Sequence, residues 1–222
     1  MNFVYFTIFG LIVFLCSLIG YKNFRSTTLY ALAIGGAVNA NFFHAGNYPI
    51  NCFGLPFGID SLIYTLFVFC VVVMLLKENK KSAYLLAFSG IIAIMFSALM
   101  QLISSLLSVG SSEYVWNTFF TFVISCIASV IALFVMIETI NKIKHKFNNY
   151  WAMLIGILIA IIIDSALYYP LAALINGAPE NILSLVLTSF IGKAIALLFS
   201  LLTLYFINKY EAKHLNKNNN QQ

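Results

Sequence analysis

Seven long apolar runs, each parted from the next by a short polar stretch, leave this chain few folds to choose from. A helix needs about 20 apolar residues to cross the hydrocarbon core of a bilayer, and the runs at 3–19, 27–43, 57–76, 83–107, 117–140, 150–175 and 182–207 approach or exceed that length. They lack the period-two alternation of a barrel strand. Backbone N–H and C=O groups in lipid must pair within their own segment, so each run is expected to be a helix. Of the 222 residues, 62% are hydrophobic and 9% charged, against about 25% charged in a soluble domain. A soluble fold of this size would leave too much apolar surface in water. The expected fold class is therefore all-α, a polytopic transmembrane bundle of about seven helices. The second run is the weakest, because Gly35, Gly36, Asn39 and Asn41 dilute it.

Charge sets an orientation. Lys22 and Arg25 follow the first run, Lys77, Lys80 and Lys81 the third, Lys142, Lys144 and Lys146 the fifth, and Lys209, Lys213 and Lys217 the seventh. The remaining connections, at 45–56, 109–116 and 176–181, contain no Lys or Arg and carry only Glu113 and Glu180. The positive-inside rule then places the N-terminus outside and the C-terminus in the cytoplasm of a multi-pass protein of the cell (inner) membrane. A missed or invented helix would put basic loops on both sides, so the alternation tests the segmentation. The net charge of +5 follows from these loops, and no nucleic-acid partner is needed to explain it. Residues 1–208 read as one membrane domain and 209–222 as a cytoplasmic, disordered tail. The first run has no basic leader and no small-residue cleavage site, so it reads as a retained helix, and as the least polar one it is expected at the periphery of the bundle.

Within the bilayer an ionisable side chain costs a few kcal/mol even on the lenient insertion scale. The only two aspartates of the chain, Asp60 and Asp164, fall inside the third and sixth runs, and Lys193 falls inside the seventh. Gln101 lies late in the fourth, and Asn39 and Asn41 at the outer end of the second. Such groups either pair to lock the bundle or line a ligand or ion site. Ser97, Gln101, Ser104, Ser105 and Ser108 recur at helical spacing, as do Thr118, Thr121, Ser125 and Ser129 on the next run. Two polar stripes beside buried aspartates and a lysine favour a hydrated cavity.

The aspartates share a local sequence. Ile59-Asp60-Ser61-Leu62-Ile63-Tyr64 matches Ile163-Asp164-Ser165-Ala166-Leu167-Tyr168 as I-D-S-x-(I/L)-Y. Three helices apart, the two copies run in opposite directions, the arrangement of inverted-topology repeats whose substrate site lies near the midplane. Pro170 follows in the sixth run, where it removes an intrahelical hydrogen bond and is expected to kink the helix. The stretch 39–60, with His44, Asn47, Asn51, Gly54 and Pro56, is too polar for lipid and reads as a partly re-entrant loop.

No catalytic constellation is present, and the chain reads as a non-enzyme. Gly192-Lys193 ends like a phosphate-binding loop, but Leu187 stands in place of its first glycine and Ala194 in place of its Ser/Thr. Metalloprotease and serine-hydrolase motifs are missing, and two aspartates without a flanking glycine motif do not make an intramembrane protease. Cys16, Cys52, Cys70 and Cys126 have no metal-ligand spacing and are expected as small buried hydrophobes; His44 stands alone. No metal or cofactor is expected.

The segment Phe53-Gly54-Leu55-Pro56-Phe57-Gly58-Ile59-Asp60, the Asp164-Ser165-Ala166-Leu167-Tyr168 segment and the late Gly192-Lys193 resemble the vitamin uptake family now viewed as queuosine-precursor transporters. The resemblance spans roughly residues 39–208. The chain departs from the family pattern in Tyr64, where many members carry an acidic residue, and in lacking a proline in the last helix. Membership would imply import of 7-deazaguanine bases. A carboxylate can accept the paired N–H donors of a guanine-like edge, amides can meet its carbonyl and ring nitrogen, and aromatic rings can stack on it. On that resemblance Asn39, Asn41, Asp60, Gln101, Asp164 and Tyr168 are the expected substrate-binding residues, with Lys193 balancing an aspartate in the empty site. The expected partners are the small-molecule substrate, the lipid bilayer and a second copy or an energising subunit. The alternatives are a substrate-binding membrane subunit of a vitamin uptake complex, and a membrane sensor that binds a ligand without moving it.

Overall fold

The structure, a computed structural model, describes residues 2–45, 49–52, 55–108, 110–175 and 182–219. Among these residues the chain forms a bundle of seven helices: α1 (Asn2–Phe24), α2 (Ser26–Ala45), α3 (Ile59–Lys77), α4 (Lys80–Ser108), α5 (Glu113–Ile143), α6 (Asn149–Ile175) and α7 (Ile182–Asn219). The expected all-α bundle is what the chain forms, and the chain is a membrane protein. Among the described residues, α4, α5, α6 and the Val186–Ala212 part of α7 are each long and apolar enough to cross a bilayer. Large side chains such as Phe88, Ile92, Phe96, Phe134 and Leu198 face outward, as a lipid-facing surface requires.

The re-entrant loop expected over 39–60 takes a different form. α2 continues to Ala45, and two short strands, β1 (Pro49–Cys52) and β2 (Leu55–Gly58), pair antiparallel with Cys52 opposite Leu55. Prolines are tolerated here because both strands of a two-stranded ribbon are edges. The ribbon lies beside α1 and α7.

Short connections are fixed by local chemistry. Asn79 Oδ1 accepts from the Ser82 N–H at 2.8 Å, Ser112 Oγ from Val115 at 3.4 Å and Asn148 Oδ1 from Trp151 at 3.0 Å, capping the starts of α4, α5 and α6. Gly110 (φ 82°) turns α4 into α5. Arg25 takes the left-handed conformation (φ 52°) between α1 and α2. That geometry is unfavourable for an L-residue, and its guanidinium is held by Glu211 at 3.5 Å and by the rings of Tyr21 and Tyr210.

From Leu66 to Leu76 α3 is apolar on every side, and a helix segment of that kind belongs in the interior. From Phe67 to Leu75 its side chains are essentially inaccessible. Around it pack α2, α4 and α7, with α5 and α6 completing the wall. α1 touches α2, α7 and the ribbon and turns Ile8, Leu11, Ile12 and Leu15 outward, which is the peripheral position expected of it. Cys16 shares that outward face, because it falls on the lipid-facing side of α1, whereas Cys70 and Cys126 are buried as expected. Pro170 is carried inside α6 without ending the helix.

The basic connections meet at one end of the bundle. Lys77 pairs with Glu211 and donates to Asn208 at 2.6 Å, and Tyr21 donates to Glu211 at 2.8 Å. Lys80 pairs with Glu138 at 2.6 Å, and Tyr84 donates to the same carboxylate. These contacts explain where α7 departs from the sequence reading: it runs on to Asn219 through residues assigned to a disordered tail. Glu211 ties its continuation to α1 and α3, and Glu, Ala, Lys and Leu there are good helix formers. Charge bias predicts that this end is cytoplasmic. In a cysteine-free version, Lys144→Cys should label only from the cytoplasmic side and Glu113→Cys only from outside. Labelling of both by an impermeant reagent in intact cells would overturn that orientation.

Candidate functional site

Four helices bring polar side chains to one buried point. α6 and α7 are antiparallel neighbours, so Asp164, near the middle of α6, faces Lys193 of α7. The Lys193 ammonium is 2.6 Å from Asp164 Oδ2 and 3.4 Å from Ser165 Oγ. Ser129 of α5 donates to the other carboxylate oxygen at 3.3 Å. From α3, the Tyr64 ring presents its face to the ammonium, 4.9 Å from ring centroid to nitrogen, close enough for cation–π attraction. The two charged side chains are 8% and 6% exposed.

Burial decides what this cluster means. Two charges withdrawn from water lose several kcal/mol of hydration each, recovered only where the geometry is close and the remaining polar groups are satisfied. The carboxylate has a partner on each oxygen and the ammonium has an anion, a hydroxyl and a ring, so the pair is well supported. Two hydroxyls around it are not. Tyr64 lies close enough to Ser129 and Asp164 to interact with them electrostatically, yet its hydroxyl is buried and completes no hydrogen bond of ordinary length. Ser189, one turn before Lys193 on α7, is 3% exposed and its hydroxyl is likewise unpartnered. A third polar centre beside the ion pair, supplied by a ligand or water, would satisfy them.

The seven residues singled out by sequence do not form one cluster. Asp164 and Lys193 are joined directly. Tyr168, one turn beyond Asp164, packs against Ala128 and Ala172 and edge-on to Tyr169, with centroids 4.9 Å apart. Gln101 lies on α4, in the wall of a separate cavity between α4 and α5. Asn39 is exposed, and its amide donates to Gly35 O of its own helix at 2.8 Å. Asn41 and Asp60 have side chains outside the described set; by helical register Asp60 precedes Tyr64 by one turn on α3. No metal-holding group of three or more His, Cys, Asp or Glu occurs among the described residues.

Tyr64, Ser129, Ser165 and Ser189 were not on the sequence's list of site residues, although the signals existed. Tyr64 and Ser165 belong to the duplicated I-D-S-x-(I/L)-Y segment, and Ser129 ends the polar stripe of α5. The tyrosine of the first copy thus sits at the aspartate of the second. Glu138 was also missed, since it lies inside an apolar run; its role is the ion pair at the basic end. Comparison of the chain with protein-family models, curated proteins and solved structures gives no match.

Proposed function

We propose that the chain is a membrane transporter for a small, flat, polar heterocycle, and that its cargo is a 7-deazaguanine precursor of queuosine. The observation that carries the reading is the Asp164–Lys193 pair deep in the bundle, flanked by Tyr64 and Ser189 hydroxyls that complete no ordinary hydrogen bond within the protein. Ionisable residues kept in a membrane interior mark ligand or ion pathways, and a pair serving only as a lock would not need orphaned hydroxyls beside it. A base with adjacent N–H donors could share the carboxylate with Lys193 and stack near Tyr64. The resemblance in the Pro-Phe-Gly-Ile-Asp and Asp-Ser-Ala-Leu-Tyr segments supports the choice of cargo. Pairing of Asp164 by Lys193 also keeps the empty site from holding an unmatched charge.

The test is uptake of 7-deazaguanine bases by cells that make queuosine solely from imported precursor. Cells carrying the chain should accumulate queuosine in tRNA, and cells lacking it should not; equal accumulation would refute the cargo. A finer expectation concerns the Tyr64 hydroxyl. Tyr64→Phe removes a hydroxyl that completes no ordinary hydrogen bond within the protein, so folded yield should change little, whereas a lost ligand hydrogen bond lowers affinity roughly two- to tenfold. A Tyr64→Phe variant with wild-type uptake at subsaturating substrate would remove that hydroxyl from the site.

A further inference from the structure

Gln101 and Asp164 read from the sequence as parts of one cavity, but they occupy separate compartments. Gln101 lines a cavity of about 620 Å³ between α4 and α5, with Val38 of α2 in its wall. Sites for small molecules commonly have about 300–1,000 Å³. Phe119 and Phe122 supply aromatic surface, and none of the described wall residues is charged. Two polar atoms of this wall, Ser97 Oγ and Gln101 Nε2, are buried without a hydrogen-bond partner, and Ser97 is only 6% exposed. Serines in membrane helices ordinarily donate to the carbonyl four residues earlier. Ser89 and Ser108 of the same helix do so, at 2.8 Å each. Ser97 does not, so its hydroxyl and the Gln101 amide are both left to a third party.

Along α5, a small apolar cluster lies between this cavity and the ion pair. Ala37 of α2, Ile94 of α4 and Cys126 of α5 pack together, each within one turn of a cavity residue on its own helix: Val38, Ala98 and Phe122. On α5, Phe122, Cys126 and Ser129 form one stripe, lying in turn in the cavity wall, in the cluster and against Asp164. The first and last are about 10 Å apart along the helix axis, at roughly 1.5 Å per residue.

We propose that the cavity is a second ligand station, which holds an uncharged, flat heterocycle before it passes the Ala37–Ile94–Cys126 cluster to the charged site. Gln101 and Ser97 bond the amide-type edge of the ligand, and the phenylalanine rings cover its face. The uncharged wall excludes ionic ligands, whose charge would go unmatched there. The inference rests on the transport reading for the identity of the ligand, and on the cavity alone for the existence of a hydrated site.

Full-length protein with its native cysteines replaced, reconstituted in lipid nanodiscs, tests this with Ser97→Cys, a nearly isosteric change, and with Gln101→Cys as the second variant. Iodoacetamide, a small, uncharged and water-soluble thiol reagent, should label both. 7-Deazaguanine at ten times its Kd should slow that labelling about tenfold, as simple occupancy requires. If both cysteines resist iodoacetamide and react only with a lipid-soluble maleimide, the cavity holds lipid chains and the station falls. Unslowed labelling in a protein whose wild type imports the base overturns the station and leaves transport standing. Slowed labelling without import supports the station and overturns transport.

Discussion

Asp164→Asn and Lys193→Met should each cost about 3–5 kcal/mol of stability, and the double variant should cost far less than the sum. Either single change leaves one charge of a buried pair facing an uncharged partner. At 8% and 6% side-chain exposure, water cannot screen what remains. Ser129 and Ser165 soften the loss of one partner but cannot replace a charge. Removing both charges leaves a neutral amide and a thioether, which fit the same space without an ionic penalty, so stability returns in part. The measurement is a double-mutant cycle on thermal or denaturant unfolding of purified protein in detergent. Strictly additive losses would show that the two residues do not act as partners. Uptake separates the structural role from the functional one: the double variant should fold and yet fail to import, because the amide keeps one acceptor oxygen and turns a donor NH2 towards the ligand's paired N–H groups.

Gly90→Ala is expected to destabilise by about 1–3 kcal/mol, the usual cost of overpacking a close-packed site. A Cβ built at Gly90 would fall 2.3 Å from Phe67 Cε2 and 2.5 Å from its Cζ. The ring has little room to retreat, since Phe67 is 1% exposed in the most deeply buried part of α3. The α3–α4 contact therefore depends on the missing side chain. Phe67→Leu in the same molecule makes space for the new methyl, so the double variant should lose less than the two single changes added together. An unchanged unfolding midpoint for Gly90→Ala would show that α3 and α4 do not approach this closely.

The helices were legible because their cause is local. An apolar run of sufficient length must be helical in lipid whatever its neighbours do, and short polar breaks fix the number of helices. Places where the sequence reading differed are those decided by contacts between elements. Residues 209–219 look like a solvated tail from composition, but Glu211 meets Lys77, Tyr21 and Arg25 and the helix continues. Polar residues before α3 look like an irregular loop, but part of that stretch finds a backbone partner across a ribbon.

For the candidate site, the sequence by itself determined which side chains are too costly in a membrane to be there without a reason, and Asp164 and Lys193 were among them. Only the tertiary structure decided which of those residues meet. Helical periodicity gives the angle of a side chain about its own axis, not the helix that lies across from it or the depth at which two helices align. That alignment joins Lys193 to Asp164, brings Tyr64 and Ser129 to the pair, and leaves Gln101 with Ser97 beyond the Ala37–Ile94–Cys126 cluster. Charge cost is a property of one residue and its solvent, so it can be read along a chain. Pairing belongs to two helices packed at a particular depth, so it exists only in the fold.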